Sequence, residues 1–205
     1  MAIALHKTLC YKPEDDALKG KSKFWGFPDL PCEMEFPYKG DEPLCFICQI
    51  NIEELRSQIT QTQSTDCLPQ RGMLYFFAQI DYFLGWTDEF EEGIGPWGSN
   101  SFRVLYAENV TGLHTHKTYF EDGIPAAPDT WGMEFTDCED NAYGHKLLGH
   151  PFFEEVPSKI SLLQIDEDDD WNLRFFDSGM LNFIIDEKSL KKQDFSKTGL
   201  YFHSL

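Results

Sequence analysis

Two imidazoles in His114-Thr115-His116 would share one face of a strand, a metal-ligand geometry once a carboxylate such as Glu121 approaches. Asp166-Glu167-Asp168-Asp169-Asp170 sets acids at the first, third and fifth positions of a calcium-type loop, with Asp177 at the twelfth. Asp166, Asp168 and Asp170 are thus the cation candidates of the run. Trp171, however, stands where such a loop needs glycine, and the pattern reads first as a solvated acidic turn. The histidine pair has no nameable third ligand and reads first as a polar strand edge. Gly93-Ile94-Gly95-Pro96-Trp97-Gly98 has the letters of a dinucleotide fingerprint. The acids Asp88 to Glu92 before it would repel phosphate, and Pro96 removes a backbone donor, so a loop is expected. Cys45 and Cys48 have redox or zinc spacing. In a strand, residues three apart face opposite ways and cannot share a metal, so buried thiols are expected.

The elements that would position these groups repeat. Lys23-Phe24-Trp25-Gly26-Phe27-Pro28 returns as Lys146-Leu147-Leu148-Gly149-His150-Pro151, and Cys48-Gln49-Ile50-Asn51 as Leu163-Gln164-Ile165-Asp166. Arg71-Gly72-Met73-Leu74-Tyr75-Phe76 returns as Ser178-Gly179-Met180-Leu181-Asn182-Phe183, and Leu105-Tyr106 as Leu200-Tyr201. Four matches in one order point to an internal duplication, with copy one over about 22–108, a connector over about 109–144 and copy two over about 145–205. The steps 26 to 49, 49 to 72 and 72 to 106 become 149 to 164, 164 to 179 and 179 to 201, so the second copy is the compact one. Gln49 and Gln164 are the polar side chains repeated within the strand cores. They are expected either to satisfy neighbouring backbone or to converge on a cleft between the copies.

Strands are expected at 44–50, 73–80, 102–107, 160–165, 180–185 and 199–202, with an extra one at 114–120. Short helices are expected at about 52–60 and 186–192, each with acids in its first turn. A single unit would leave an apolar sheet face wet, and a second would cover it. The expected fold is α+β: mostly antiparallel strands with a few short helices, in two pseudo-symmetric halves packed through their sheets as one domain.

Composition narrows the partners. A net charge of -18 repels phosphate backbones and anionic headgroups, so neither nucleic acid nor membrane is expected and a basic protein is the favoured partner. The 41% apolar content, with 18 Phe, 8 Tyr and 5 Trp, supplies a core and argues against disorder. Six cysteines could form three disulfides only after export, and no export signal or apolar window of membrane-spanning length is read, so a cytoplasmic protein with free thiols is expected.

Ser22-Lys23-Phe24-Trp25-Gly26, the run Pro43 to Asn51, Gly72-Met73-Leu74-Tyr75-Phe76-Phe77, the run His145 to Pro151, and Asp177-Ser178-Gly179-Met180-Leu181-Asn182-Phe183 resemble the bacterial YwqG-like family. The resemblance covers about residues 20–205. It implies a soluble bacterial protein with a duplicated α+β fold, no established activity and no catalytic residues to carry over. Family members near genes of secreted toxin systems suggest an immunity or other protein-binding role. Trp25 departs from the family pattern at a place where a second glycine is expected.

The leading expectation is therefore a non-enzymatic binding protein whose acidic surface engages a basic protein, with Trp86, Trp97, Glu91, Glu92 and Asp168 as contacts and no cofactor. The alternative is a metal-dependent or small-molecule enzyme working in a cleft between the copies, since triads are assembled in space and no local motif betrays them.

Overall fold

The apolar runs around the repeated landmarks become strands, and two further long strands join them. The computed structural model describes residues 2–60, 65–80, 92–157, 160–175 and 178–205. In chain order the strands are β1 (Ala2–Tyr11), β2 (Lys23–Phe24), β3 (Asp29–Leu30), β4 (Tyr38–Lys39), β5 (Glu42–Pro43), β6 (Cys45–Asn51), β7 (Met73–Ala78) and β8 (Gly95–Pro96). They continue with β9 (Phe102–Ala107), β10 (His114–Thr115), β11 (Thr130–Cys138), β12 (Lys146–Leu147), β13 (Ser161–Asp166), β14 (Gly179–Ile184) and β15 (Gly199–Ser204). The helices are α1 (Ile52–Gln58) and α2 (Glu187–Lys191).

The α+β expectation is overturned, because the described chain is mostly antiparallel sheet. Asn51 caps α1 by accepting hydrogen bonds from the Glu53 and Glu54 N–H groups, yet the helix ends within two turns at Ile59, which is already extended. Nor do two sheets stack face to face. Eleven strands form one sheet in the order β8-β15-β14-β13-β12-β1-β11-β2-β6-β7-β9, with β3-β10 and β4-β5 as separate small ladders. The centre is β1 against β11, paired from Ala2↔Cys138 to Tyr11↔Thr130.

Laid flat, eleven strands would put β8 and β9 about 48 Å apart. Only residues 97–101 link those two strands, a span of about 20 Å at most. The sheet must therefore curl. Its β9 end comes back toward the other where the Tyr106 ring lies 5.8 Å from Phe195, just before β15. The enclosed face carries one large core in which rings from opposite ends of the chain touch: Phe76 lies 5.2 Å from Phe183, and Phe24 and Trp25 lie 4.8 and 5.4 Å from Trp171. A second, smaller core of Leu30, Phe46, Tyr75 and Phe77 sits on the outer face, beneath residues 30–44 and 105–113.

Outward from the centre, the order β11-β2-β6-β7-β9 is matched by β1-β12-β13-β14-β15. Register matches too. Lys23 faces Gln49 as Lys146 faces Gln164, and Gln49 faces Tyr75 as Gln164 faces Asn182. The ladders slip at the same place, between Phe46 and Cys48 and between Ser161 and Leu163. After β2 and after β12 the chain turns through two left-handed residues, Trp25-Gly26 (φ 56° and 71°) and Leu148-Gly149 (φ 62° and 84°). Glycine is required second in each pair: a Cβ on Gly26 would lie 1.8 Å from Thr130 Oγ1, and one on Gly149 2.3 Å from Asp140 O. Trp25 tolerates its φ because its ring is fully buried in the main core.

Helix α2 ends in a Schellman arrangement. The Gln193 N–H donates to Leu190 O and the Asp194 N–H to Ser189 O, with Gln193 exposed at φ 56°. Gln193→Gly should raise unfolding stability by about 1 kcal/mol in urea titrations, since an exposed side chain is lost and backbone strain is relieved.

Candidate functional site

The two repeated glutamines are fully buried, and each staples a loop to its own strand. Gln49 accepts from the Asp29 N–H (2.9 Å) and donates to Lys21 O (2.8 Å) and Asp29 Oδ2 (2.9 Å). Gln164 accepts from the Phe152 N–H (2.9 Å) and donates to Gly144 O (2.8 Å) and Ala142 O (3.3 Å). Strands β2, β11, β1 and β12 lie between them in the sheet, so the amides are not brought together.

Beside each glutamine lies a buried lysine. Lys23 meets a carboxylate, its Nζ 2.7 Å from Asp29 Oδ2, and Asp29 also accepts from the Gly20 N–H and the Thr115 hydroxyl. Burial opposes ionisation of Asp29, but the Lys23 charge and these donors hold its carboxyl below the usual range. Lys146 is fully buried, and among the described residues no carboxylate pairs with it. Phe152 occupies the position matching Asp29, and the Lys146 ammonium donates to the backbone carbonyls of Asp140 and His150. Burial pulls its pKa down to about 8, against the opposing pull of Cys138 and Asp140.

The acidic run closes on a cation supplied by the protein. Lys7 Nζ lies 2.5 Å from Asp168 Oδ1 and 2.7 Å from Asp170 Oδ2, and over the rings of Trp131 and Trp171 at 5.4 and 5.3 Å. His145 stacks on Trp171, accepts the Asp166 N–H at Nδ1 and therefore carries its proton on Nε2, 3.2 Å from Asp168 Oδ2. Burial would push the Asp168 carboxyl up, but the hydrogen bonds from His145 and Lys7 and the Lys7 charge hold it at about 2. Both imidazole nitrogens are spent, so in this arrangement His145 has no lone pair left for a substrate proton. The Asp166 carboxylate accepts from the Glu167 N–H.

The remaining candidates scatter. His114 and His116 are ring neighbours at 6.5 Å, with His116 stacked on Phe36 at 4.5 Å, and among the described residues no group of three metal-ligating side chains converges. Cys48 is fully buried and its thiol is pushed well up by that burial. The expected opposite-face placement of Cys45 and Cys48 does not hold, because the bulge between Phe46 and Cys48 lets both touch the main core. Trp97 is only 6% exposed, donating to Gly93 O and packing on Phe202. Glu92 accepts from the Ser101 hydroxyl and the Gly98 N–H, and so wires its own loop. Trp86 and Glu91 lie outside the described residues.

Two surface features went unread in the sequence. One is a small hairpin in which Tyr119 bridges Pro125 and the Phe120 N–H donates to Ile124 O. Tyr119, Phe120 and Ile124 are 45%, 48% and 57% exposed on it, beside the exposed acids Glu121 and Asp122. The other is a cleft of about 820 Å³ between α2, the start of β15, residues 150–157 and Cys67. For the buried lysines the sequence does carry a signal, since Lys23 recurs as Lys146 among core residues.

The two lysines should respond differently to removal. Lys23→Met strands a buried carboxylate and should cost about 3 kcal/mol, whereas Lys146→Met should stay within about 1 kcal/mol of the parent at pH 7 in urea titrations. Their pH dependence provides a second check. Unfolded Lys146 keeps its proton to about 10.5 while the folded form releases it near 8, so the unfolded state binds more protons between those values and stability rises with pH there. In a Cys138→Ala background, the parent should gain on Lys146→Met from pH 8 to 10.5 by on the order of 1–3 kcal/mol.

Among the described residues no helix is long and apolar enough to cross a membrane. No curated protein matches the chain. Residues 22–203 match the profile of a domain of unknown function, DUF1963, a span that takes in both sets of matched strands except β1 and the last residue of β15, and the protein belongs to that family.

Proposed function

We propose that this protein is a non-enzymatic, cytoplasmic binding protein that uses an acidic surface to engage a basic protein. The observation that carries the reading is the hairpin at 118–126. It presents three large apolar side chains near half exposure, with Glu121 and Asp122 at its tip and Glu14 held against Tyr119 by a 3.0 Å hydrogen bond. Apolar anchors flanked by three carboxylates, with Lys117 the cation near them, suit a partner with an apolar groove and a largely basic rim. The net charge of -18 would speed encounter with such a partner, and six free thiols accord with a reducing compartment. The resemblance to YwqG-like proteins gives the reading a specific form, an immunity protein for a basic toxin.

The same proposal extends to origin. The two matched strand sets derive from one duplicated unit, a reading supported by their shared order, register slip, left-handed turn and glutamine staple. Capture from host lysate tests the functional part. The intact protein should retrieve a basic protein at low salt, and retention should fall at least tenfold in Phe120→Ser/Ile124→Ser and in Glu121→Lys/Asp122→Lys. Capture indifferent to salt and to all four substitutions would sink it.

A further inference from the structure

The cleft of about 820 Å³ is independent of the hairpin and has the size of a small-molecule site. Ile160, Ile184, Ile185 and Leu190 form its apolar walls, with Pro157 beside them. Its mouth carries charges of both signs, and nearly all of them are already satisfied within the protein. Asp186 caps α2 by accepting from the Ser189 N–H (2.9 Å) and the Ser189 hydroxyl (2.5 Å). Glu187 and Lys191 pair with each other at 2.5 Å, one helical turn apart. His150 is paired with Asp140. Lys197 is different: among the described residues no carboxylate lies within ion-pair distance of it. Among the described lining residues Lys197 is therefore the cation without a counter-ion, whereas the Asp186 carboxylate is held by the Ser189 donors.

We infer that this cleft binds an amphipathic monocarboxylate, its apolar body against the isoleucine walls and its carboxylate on Lys197. A neutral amphiphile would satisfy the walls and leave the ammonium solvated. A cation would meet acids that are already engaged. The protein's overall negative charge opposes anion entry, so the affinity must come from apolar burial plus this single contact. Cys67 also lines the cleft and serves as an internal reporter.

Titration calorimetry with dodecanoate and dodecanol on the intact chain provides the test. Dodecanoate should bind saturably at one site, and Lys197→Ala should weaken it about tenfold, the worth of one charge-assisted hydrogen bond. Dodecanol should bind more weakly and be indifferent to the substitution. On the unmutated protein, dodecanoate should slow alkylation of Cys67, mapped by mass spectrometry, while leaving the exposed Cys10 and Cys32 unchanged. Absence of saturable binding, equal affinity for the two probes, an unchanged Kd in Lys197→Ala, or an unprotected Cys67 would each overturn the inference.

Discussion

The antiparallel ladder between β1 and β11 is the seam on which every other strand depends, because β12 is built out from one side of it and β2 from the other. Each of these two strands comes before one matched set in the chain and pairs with the other. β1 precedes β2 yet lies against β12, while β11 precedes β12 yet lies against β2. The crossing ties residues 3–4 to residues 146–147 and residues 131–132 to residues 23–24, so neither half can close without the other's leading strand. Ala4 and Gly132 meet Lys146 and Lys23 in register, which places small residues beside the two buried lysines. Gly132 leaves no room for more: a Cβ there would lie 2.3 Å from Thr8 Oγ1.

That seam is also where the sequence was least legible. β1 lacks a clean alternation, with Leu9 70% exposed near its end, so its residues carry no strand signal. β11 does alternate, with Trp131, Met133 and Phe135 toward the core and Glu134 and Thr136 away from it. It follows Gly123, Pro125 and Pro128, and those breakers made the whole stretch read as connector. By contrast, the strands flanking repeated Gly and Gln residues were readable, because a glutamine recurring within an apolar run has few places to go except backbone. Both glutamines prove to be such staples.

The fold class failed for a related reason. The helix signals were real, since Asn51 and Asp186 both cap helices as their residue types suggest. What the sequence pattern does not reveal is length: α1 is seven residues and α2 five, too short to form a layer of their own. The apolar mass is instead enclosed by a curled sheet, and that curl is forced by the short link between β8 and β9. Side-chain roles that depend on two distant segments meeting, such as Lys7 with Asp168 or Cys67 with α2, have no local signature at all.

The two matched strand sets hold a common frame, and this sharpens the question of where chemistry could reside. The frame cannot account for the places where the sets differ, because the backbone register is the same on both sides. Where Ser22 accepts the Asn51 N–H, His145 accepts the Asp166 N–H, and the imidazole extends the contact to Asp168. Where α1 packs on β11, the shorter turn Asp169–Trp171 follows Asp168, and Asp168 and Asp170 meet β1 through Lys7. Where Asp29 neutralises Lys23, Phe152 leaves Lys146 to backbone carbonyls. Each change makes the second set more polar at the seam or less neutral beneath it. Stability alone gives no reason to replace a buried ion pair by a buried ammonium held on backbone carbonyls, whose desolvation Asp140 offsets only in part. The asymmetry therefore lies on the side that also carries the cleft, and that side is the one to probe for small-molecule binding, while the hairpin beyond β10 is the one to probe for a protein partner.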